Sequence, residues 1–440
     1  MPETKNRVVI TGLGLASPIG SDLESVWESL RTGKSGIGKI ESLDCSDLPF
    51  KSGGEVRDFT GKIDNYGELE KPLQRAIKKN MKVMCREIEM GVAVSQKALS
   101  HSGLGADRVP ERCGCLFGCD YILTRPEEYQ DGLRNCRESG SQSNKAVSVE
   151  DWPEHGLNKV NPLWLLKYLP NMPNSHVSIY NEFRGPNNAI TDRDASMNLA
   201  ISEATSIIQR GAADVMLVGA TGSRLHPLRT PQMILLEQLA AERDDPATMA
   251  RPFDQSSDGM VLGEGAGAIV LESLEHAEKR SAKIWGEILG CGAAMATNAN
   301  RGGDAAALAG GIFSAASKAL TGLPSPESSW HFHAQGLGTQ LADQAESQAI
   351  NSLCETRPNL TVTAAKSYFG NLGAGSAAVE LICSLLALEH GELFPIQNLA
   401  SPLECNRWSA ATSGGTAGDA ALHMSFTMEG QVSATLVGKT

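Results

Sequence analysis

The 440-residue chain has no run of 18 apolar residues, which excludes a membrane-spanning helix. It has no basic surplus either. With 39 Lys and Arg against 51 Asp and Glu, the net charge of −12 has the wrong sign for nucleic acid. Aromatic residues are scarce at 5%, but 41% hydrophobic and 20% charged residues give an ordinary soluble globular composition. The 10 cysteines are scattered and form no disulfide framework. Cys113, Cys115 and Cys119 lie close together in Cys-Gly-Cys-Leu-Phe-Gly-Cys. They fall in an apolar run, so they read as buried strand thiols and no metal site is expected. No cofactor is expected. The N-terminus, Met1-Pro2-Glu3-Thr4-Lys5, goes straight into a strand without a signal peptide, so a cytoplasmic protein is expected.

What is present is a steady alternation of strands and helices. Arg7-Val8-Val9-Ile10-Thr11-Gly12-Leu13-Gly14 is β-branched and apolar, as a buried parallel strand should be. Gly12-x-Gly14 opens like a dinucleotide fingerprint. Ser17-Pro18 stands where the third glycine belongs, and no acidic residue follows at the required distance. A helix is predicted over 23–31, with Ser21 and Asp22 as caps and Gly33 beyond its end. A helix over 84–99 and a strand over 112–119 follow. The polar stretch 120–159 has no steady period and is expected to be an insertion covering one face, or a mobile loop. Next come a helix over 162–169, a strand over 177–180, the Gly185-Pro186-Asn187 turn, a helix over 197–210 and a strand over 213–219. Further strands are predicted at 265–271, with 284–291 as its hairpin partner, and at 329–333, 360–364, 420–426 and 432–437. Helices fit 303–320, 343–353 and 376–390. Two similar α/β halves, 1–264 and 265–440, are the simplest account.

Several motifs in this frame keep a consistent spacing. They are the opening strand, Arg251-Pro252-Phe253-Asp254, Asp258-Gly259-Met260-Val261, Gly263-Glu264-Gly265-Ala266-Gly267, Leu274-Glu275-His276-Ala277 and Lys283-Ile284-Trp285-Gly286-Glu287-Ile288. Together they resemble the elongating β-ketoacyl-acyl-carrier-protein synthases, the ketosynthases of the thiolase superfamily, across nearly the whole chain. The resemblance implies an α/β thiolase-like fold: two similar βαβαβαββ-type halves in an α-β-α-β-α layering. It also implies a three-part chemistry. A cysteine at a helix N-terminus attacks the acyl thioester as a thiolate, and two histidines stabilise the enolate formed from a malonyl thioester.

All three positions are filled differently here. In Gly185-Pro186-Asn187-Asn188-Ala189-Ile190-Thr191-Asp192-Arg193-Asp194-Ala195-Ser196 the cysteine position holds Asp194. In His333-Ala334-Gln335-Gly336-Leu337-Gly338-Thr339 the first histidine position holds Gln335. In Lys366-Ser367-Tyr368-Phe369-Gly370-Asn371 the second holds Asn371. The family's flexible gating loop is replaced by Thr427, Met428 and Glu429, which puts loop swinging for malonyl entry in doubt. Lys366, Asp343 and Glu346 remain and read as scaffold, a buried charge pair holding two loops. Lys366, Glu346 and His333 are the positions left for any residual role, with His333 on a strand face shared by His331 and Gln335.

Asp194 suits a helix N-terminus electrostatically, but an aspartate is a poor nucleophile toward a thioester. Its neighbour Arg193 has Asp192, Asp194, solvent or a partner chain as possible counterions. Losing a nucleophile and its polar partners together costs on the order of a millionfold in rate. The resemblance therefore points to a non-condensing subunit of chain-length-factor type. Such a subunit pairs with an active ketosynthase in polyketide, fatty-acid or polyene biosynthesis and shapes the acyl tunnel. Chain-length factors usually carry glutamine where Asp194 stands. The alternatives are a homodimer, a malonyl-carrier-protein decarboxylase supplying starter units, or another reaction in the remodelled pocket. Dimer contacts and the tunnel floor are expected at 177–180 and 119–129. Acyl carrier protein, itself usually acidic, is at most an indirect partner, since docking on this acidic chain requires a local basic patch.

Overall fold

The computed structural model describes residues 6–105, 108–141, 146–296, 304–325, 327–358, 360–403 and 407–440. β1 (Val8–Ala16) precedes α1 (Leu23–Thr32), whose first turn is capped by Asp22: the Ser25 N–H donates to Asp22 Oδ1 at 2.8 Å. The short strands β2 (Ile37–Lys39) and β3 (Ser52–Gly54) pair with each other. α2 (Lys71–Asn80), α3 (Arg86–Ser102), β4 (Cys113–Cys119) and α4 (Glu127–Ser139) follow. α5 (Met172–Asn181), β5 (Asn187–Thr191), α6 (Ser196–Gln209), β6 (Val215–Ser223), α7 (Arg229–Leu236) and β7 (Glu264–Ser273) come next. The remainder is α8 (Leu274–Lys279), β8 (Gly286–Met295), α9 (Ala305–Leu320), β9 (Trp330–His333), α10 (Gln340–Leu353), β10 (Thr361–Thr363), α11 (Lys366–Phe369) and α12 (Ser376–His390). Short β11 (Glu392–Leu393), β12 (Ser409–Ala410) and β13 (Gly415–Thr416) lead to the closing hairpin of β14 (Ala420–Phe426) and β15 (Gln431–Gly438).

The main sheet has 11 strands in the order β12-β10-β9-β14-β15-β8-β1-β7-β6-β4-β5. Its two wings repeat each other in order and in sense. β1–β7 and β7–β6 are antiparallel, then β6–β4 and β4–β5 parallel. In the other wing β8–β15 and β15–β14 are antiparallel, then β14–β9 and β9–β10 parallel. The wings meet where β1 pairs with β8, Val9 opposite Glu287. α3 packs on one outer face, α9 and α10 on the other, and α6 and α12 lie between the wings, touching strands of both. That position explains the composition of α12: it is buried from Ser376 to Leu388 and is apolar nearly all round. The central core around α6 and α12 also takes in Leu116, Ile269, Tyr368 and Phe394.

Four sequence expectations need correction. β1 is buried but is not a parallel strand: it runs antiparallel to both of its neighbours, β7 and β8. Residues 177–180 are not a strand; they belong to α5, which Pro173 starts and whose Pro173, His176, Val177 and Asn181 face inward. A short β-branched run does not by itself separate strand from helix. The strand next to the family motif is instead β5, at the edge of the sheet. Residues 284–291 are not the hairpin partner of β7, because β8 pairs with β15 and β1. The 162–169 segment makes only a 3-10 turn over Trp164–Tyr168. The stretch 120–159, expected to be an insertion or a mobile loop, holds α4 and short turns over 149–159, with Tyr129 packed against the rings of Trp152 and Trp164. Cys113, Cys115 and Cys119 are buried in β4, and no metal-binding cluster occurs among the described residues. Nor is any helix there long and apolar enough to cross a membrane.

Gly12 and Gly14 have a packing role. A Cβ on Gly14 would sit 2.2 Å from the Val94 carbonyl oxygen, and one on Gly12 2.3 Å from that of Ala98, so α3 lies directly on β1. Gly14→Ala is therefore expected to destabilise the fold by about 1–3 kcal/mol in urea denaturation. An unchanged midpoint would contradict this close packing.

Candidate functional site

One polar pocket opens where the C-terminal ends of β5, β6, β9, β10 and β14 converge. Arg193, Asp194, Arg224, Gln335, Asn371 and the Phe426–Glu429 turn line it, with Glu237, Met260 and Leu337. The structure thus brings Asp194, Gln335, Asn371, Thr427, Met428 and Glu429 together around one point. What is left open inside is about 20 Å³, room for about one water molecule.

Asp194 lies in a 3-10 turn, Arg193–Ala195, that runs into α6. Its carboxylate does not cap the helix. It is paired with Arg224, whose Nη2 donates to Asp194 Oδ2 at 2.8 Å, and the two side chains are only 7% and 8% exposed. Arg224 Nη1 points at Met233 Sδ, 2.7 Å away. Asp194 Oδ1 and Arg224 Nε lack a protein partner among the described atoms. Arg193 pairs with neither neighbouring aspartate: its Nη1 donates to Glu429 Oε1 at 2.6 Å. The turn is pinned from the opposite wing, since the Ser425 and Ser433 hydroxyls donate to the carbonyls of Asp194 and Ala195. Arg193 itself sits at φ 51°, a left-handed conformation that costs a non-glycine residue about 1 kcal/mol and is held by these contacts.

The other two positions are spent on the scaffold. The Gln335 side chain bonds the backbone of Phe426 twice, donating from Nε2 to the carbonyl at 2.7 Å and accepting from the amide N–H at Oε1. Asn371 Oδ1 accepts from the Gly373 N–H at 2.9 Å and from the Ser376 hydroxyl, capping the entry to α12. Its Nδ2 reaches only Met260 Sδ, at 3.6 Å. The 427–430 segment is a tight hairpin turn: Thr427 N–H donates to Gln431 O and Gly430 N–H to Thr427 O.

The retained charged residues are not arranged as one pair. Glu346 accepts from the Gln335 and Gly336 N–H groups, and Asp343 from those of Phe253 and Gly338. Burial nonetheless pushes their carboxyls up, to about 8 for Glu346 and about 7 for Asp343. Lys366 donates to Glu380 of α12 at 2.5 Å, and Glu380 also contacts His423 Nε2 at 3.1 Å. Burial opposes the Glu380 charge, but Lys366 and His423 outweigh it and hold the carboxyl below its ordinary value. His333 is fully buried, and its protons can be assigned from its partners. The Ala365 N–H donates to His333 Nε2, so the His333 proton is on Nδ1 and goes to the Ser384 hydroxyl at 2.7 Å. Ser384 then donates to His331 Nε2, and His331 Nδ1–H to Ala417 O. Burial drives His333 well below the usual imidazole range, with His423, His331 and Lys366 adding to it. Its free valences are used up, and it has no proton to exchange with the pocket.

The description "Beta-ketoacyl synthase, N-terminal domain" matches residues 5–277, and "Beta-ketoacyl synthase, C-terminal domain" matches 286–400. The chain belongs to the β-ketoacyl synthase family. It is 31% identical over 405 residues to the chloroplastic 3-oxoacyl-[acyl-carrier-protein] synthase I of Arabidopsis thaliana, covering 91% of this chain and 79% of that one. It is 32% identical over 410 residues to 3-oxoacyl-[acyl-carrier-protein] synthase 2 of Vibrio cholerae, covering 91% and 90%. The ishigamide ketosynthase/chain length factor has the same fold, with a TM-score of 0.78 at 24% identity over 99% of this chain and 100% of that one. A type II polyketide ketosynthase solved with its acyl-carrier protein superposes at a TM-score of 0.79 and 22% identity, covering 99% and 100%.

Two residues of this ketosynthase-family site were missed in sequence. Arg224 is one, although it directly follows a buried strand at the end of the sheet where the site lies. Glu380 is the other, and its signal was plain: a lone charge in the apolar α12 sequence Ser-Ala-Ala-Val-Glu-Leu-Ile-Cys-Ser-Leu-Leu. Arg224→Met is expected to cost about 3–5 kcal/mol in urea denaturation, because it strands the buried Asp194 carboxylate. Asp194→Leu combined with Arg224→Met should recover most of that; a single variant costing under about 1 kcal/mol would count against the pair.

A second outcome concerns pH. Burial pushes His331 down to about 4 from the 6.5 of an unperturbed imidazole. Between those values the unfolded chain binds the extra proton, so this group's contribution to stability rises with pH and is lost on acidification. His331→Gln should therefore flatten the pH dependence of unfolding between about pH 4 and 6.5, by up to about 1.4 kcal/mol per pH unit. An unaltered slope contradicts the assignment.

Proposed function

We propose that this chain is a non-condensing, chain-length-factor-like ketosynthase subunit. It pairs with an active ketosynthase in polyketide, fatty-acid or polyene-type biosynthesis and shapes the acyl tunnel of that partner. One observation carries the reading: the position where the family resemblance calls for a nucleophile holds a carboxylate in a buried ion pair with Arg224, with about 20 Å³ of space left. An acyl thioester finds neither a thiolate nor room there. The relatives named above are called synthases, so it is the substituted site, and not relatedness, that argues for the silent role. Vestigial positions Asp194, Gln335 and Asn371, and the turn Thr427-Met428-Glu429, are read as structural. So are Lys366, Glu346 and His333, whose hydrogen-bonding groups are engaged inside the scaffold.

The partner is proposed to sit on the edge of β5, the terminal strand of the sheet, beside α5, where Ile179 is 70% exposed. The halves are proposed as 1–264 and 265–440; the pairing of β7 with β1 and β6 favours a junction slightly later, between β7 and β8. A cytoplasmic setting goes with this reading. The decarboxylase alternative is less well supported, because it needs donors aimed at a thioester carbonyl: that of Gln335 is taken by the Phe426 carbonyl, and that of Asn371 lies against Met260 Sδ.

Co-expression with a ketosynthase whose Cys-His-His set is intact tests this by native mass spectrometry. A one-to-one heterodimer is expected. A homodimer that never takes up such a partner overturns the subunit role. Incubated alone with malonyl-carrier protein, the purified chain should release no CO2 above the uncatalysed rate; release abolished by Asp194→Ala would favour the decarboxylase.

A further inference from the structure

At the opposite end of the β9 wing lies a second, unrelated cavity. It opens where the N-terminal ends of β9 and β10 part, under the Thr356–Pro358 segment and beside the turn that leads into β14. Its volume is about 350 Å³, within the range of small-molecule sites. β9 runs from Trp330 in this cavity toward Gln335 in the pocket described above, a separation of roughly 17 Å at about 3.3 Å per residue.

Arg357 gives this cavity its chemistry. Its guanidinium lies over the indole of Trp330, 6.0 Å from the ring centroid, which fixes the planar fork against the wall. One of its nitrogens, Nη1, is buried and has no hydrogen-bond partner among the described atoms. Nη1 itself is shut off from the cavity, but Arg357 is only partly buried and lines the space, and oxyanions are what the accessible part of a guanidinium fork fits best. Ser328, Thr361 and Thr416, each with a hydroxyl, line the same space. The Thr416 oxygen already accepts from the Gly418 N–H, so its proton is free to donate. Glu327 stands at the rim, exposed, where it suits a donor on the ligand.

We propose that this cavity is a binding site for a small polar oxyanion, a carboxylate or phosphate group on a molecule that also carries a hydroxyl. Arg357 takes the oxyanion, the hydroxyls of the wall share it, and Glu327 accepts from the hydroxyl. The proposal is independent of the silent-subunit reading, since no residue is common to the two sites.

Isothermal titration of the full chain with inorganic phosphate and, separately, with lactate tests it. Saturable millimolar binding of at least one is expected, and which of them binds identifies the phosphate or carboxylate source. Arg357→Gln should weaken binding at least about tenfold while the thermal midpoint stays unchanged, and Arg357→Lys should restore only part of it. Asp194→Asn should leave binding as it is, which separates this cavity from the pocket at the other end of β9. Absence of saturable binding by both probes, or equal binding by Arg357→Gln, overturns the proposal.

Discussion

The Asp194–Arg224 ion pair is the contact on which the rest of the site depends. A carboxylate with little solvent access is tolerable only if a cation meets it at hydrogen-bonding distance, and Arg224 Nη2 does so at 2.8 Å. Once that pair is in place, the space a substrate would need is taken by side chains. The surrounding groups are then free to serve the fold. Gln335 stitches the end of β9 to Phe426, Asn371 caps the way into α12, and Arg193 holds the 427–430 turn through Glu429. The Gln335 and Arg193 contacts each tie one loop of the pocket to another, and the Asn371 cap is local. The same residue positions have become a set of fasteners.

Beneath the pocket a second polar layer is fully buried. Lys366, Glu380 and His423 form one chain of contacts, and His333, Ser384 and His331 another, both between the wings of the sheet. Unsatisfied groups at this depth are expensive, so a network with few loose ends specifies how α12 seats against β9 and β14. It also accounts for the histidines that sequence placed near the pocket: their protons are committed to neighbours inside the core.

Much of the architecture was legible in sequence, because the strands are apolar and the helices have clear ends. α12 and β14 were read to their terminal residues, and Asp22 as the cap of α1 followed from local rules. Residues 177–180 failed for a physical reason: four residues with two β-branched members satisfy strand and helix alike, and packing against α3 and β4 decides. Strand partners across the sheet, such as β8 with β15, are not local properties either. At the site, motif spacing located the substituted positions but not their new companions. Arg224 is 30 residues from Asp194, and Glu380 is 43 from His423. Pairings over such separations are written in the fold, not in any segment.

The central claim is that nothing in this pocket can accept an acyl group. Intact-protein mass spectrometry after incubation with acyl-carrier-protein thioesters measures this directly. An unchanged mass is predicted, for the protein alone and in the presence of malonyl-carrier protein. A mass increase equal to one acyl group, lost in Asp194→Ala, would show that the carboxylate is a working nucleophile and would contradict the account.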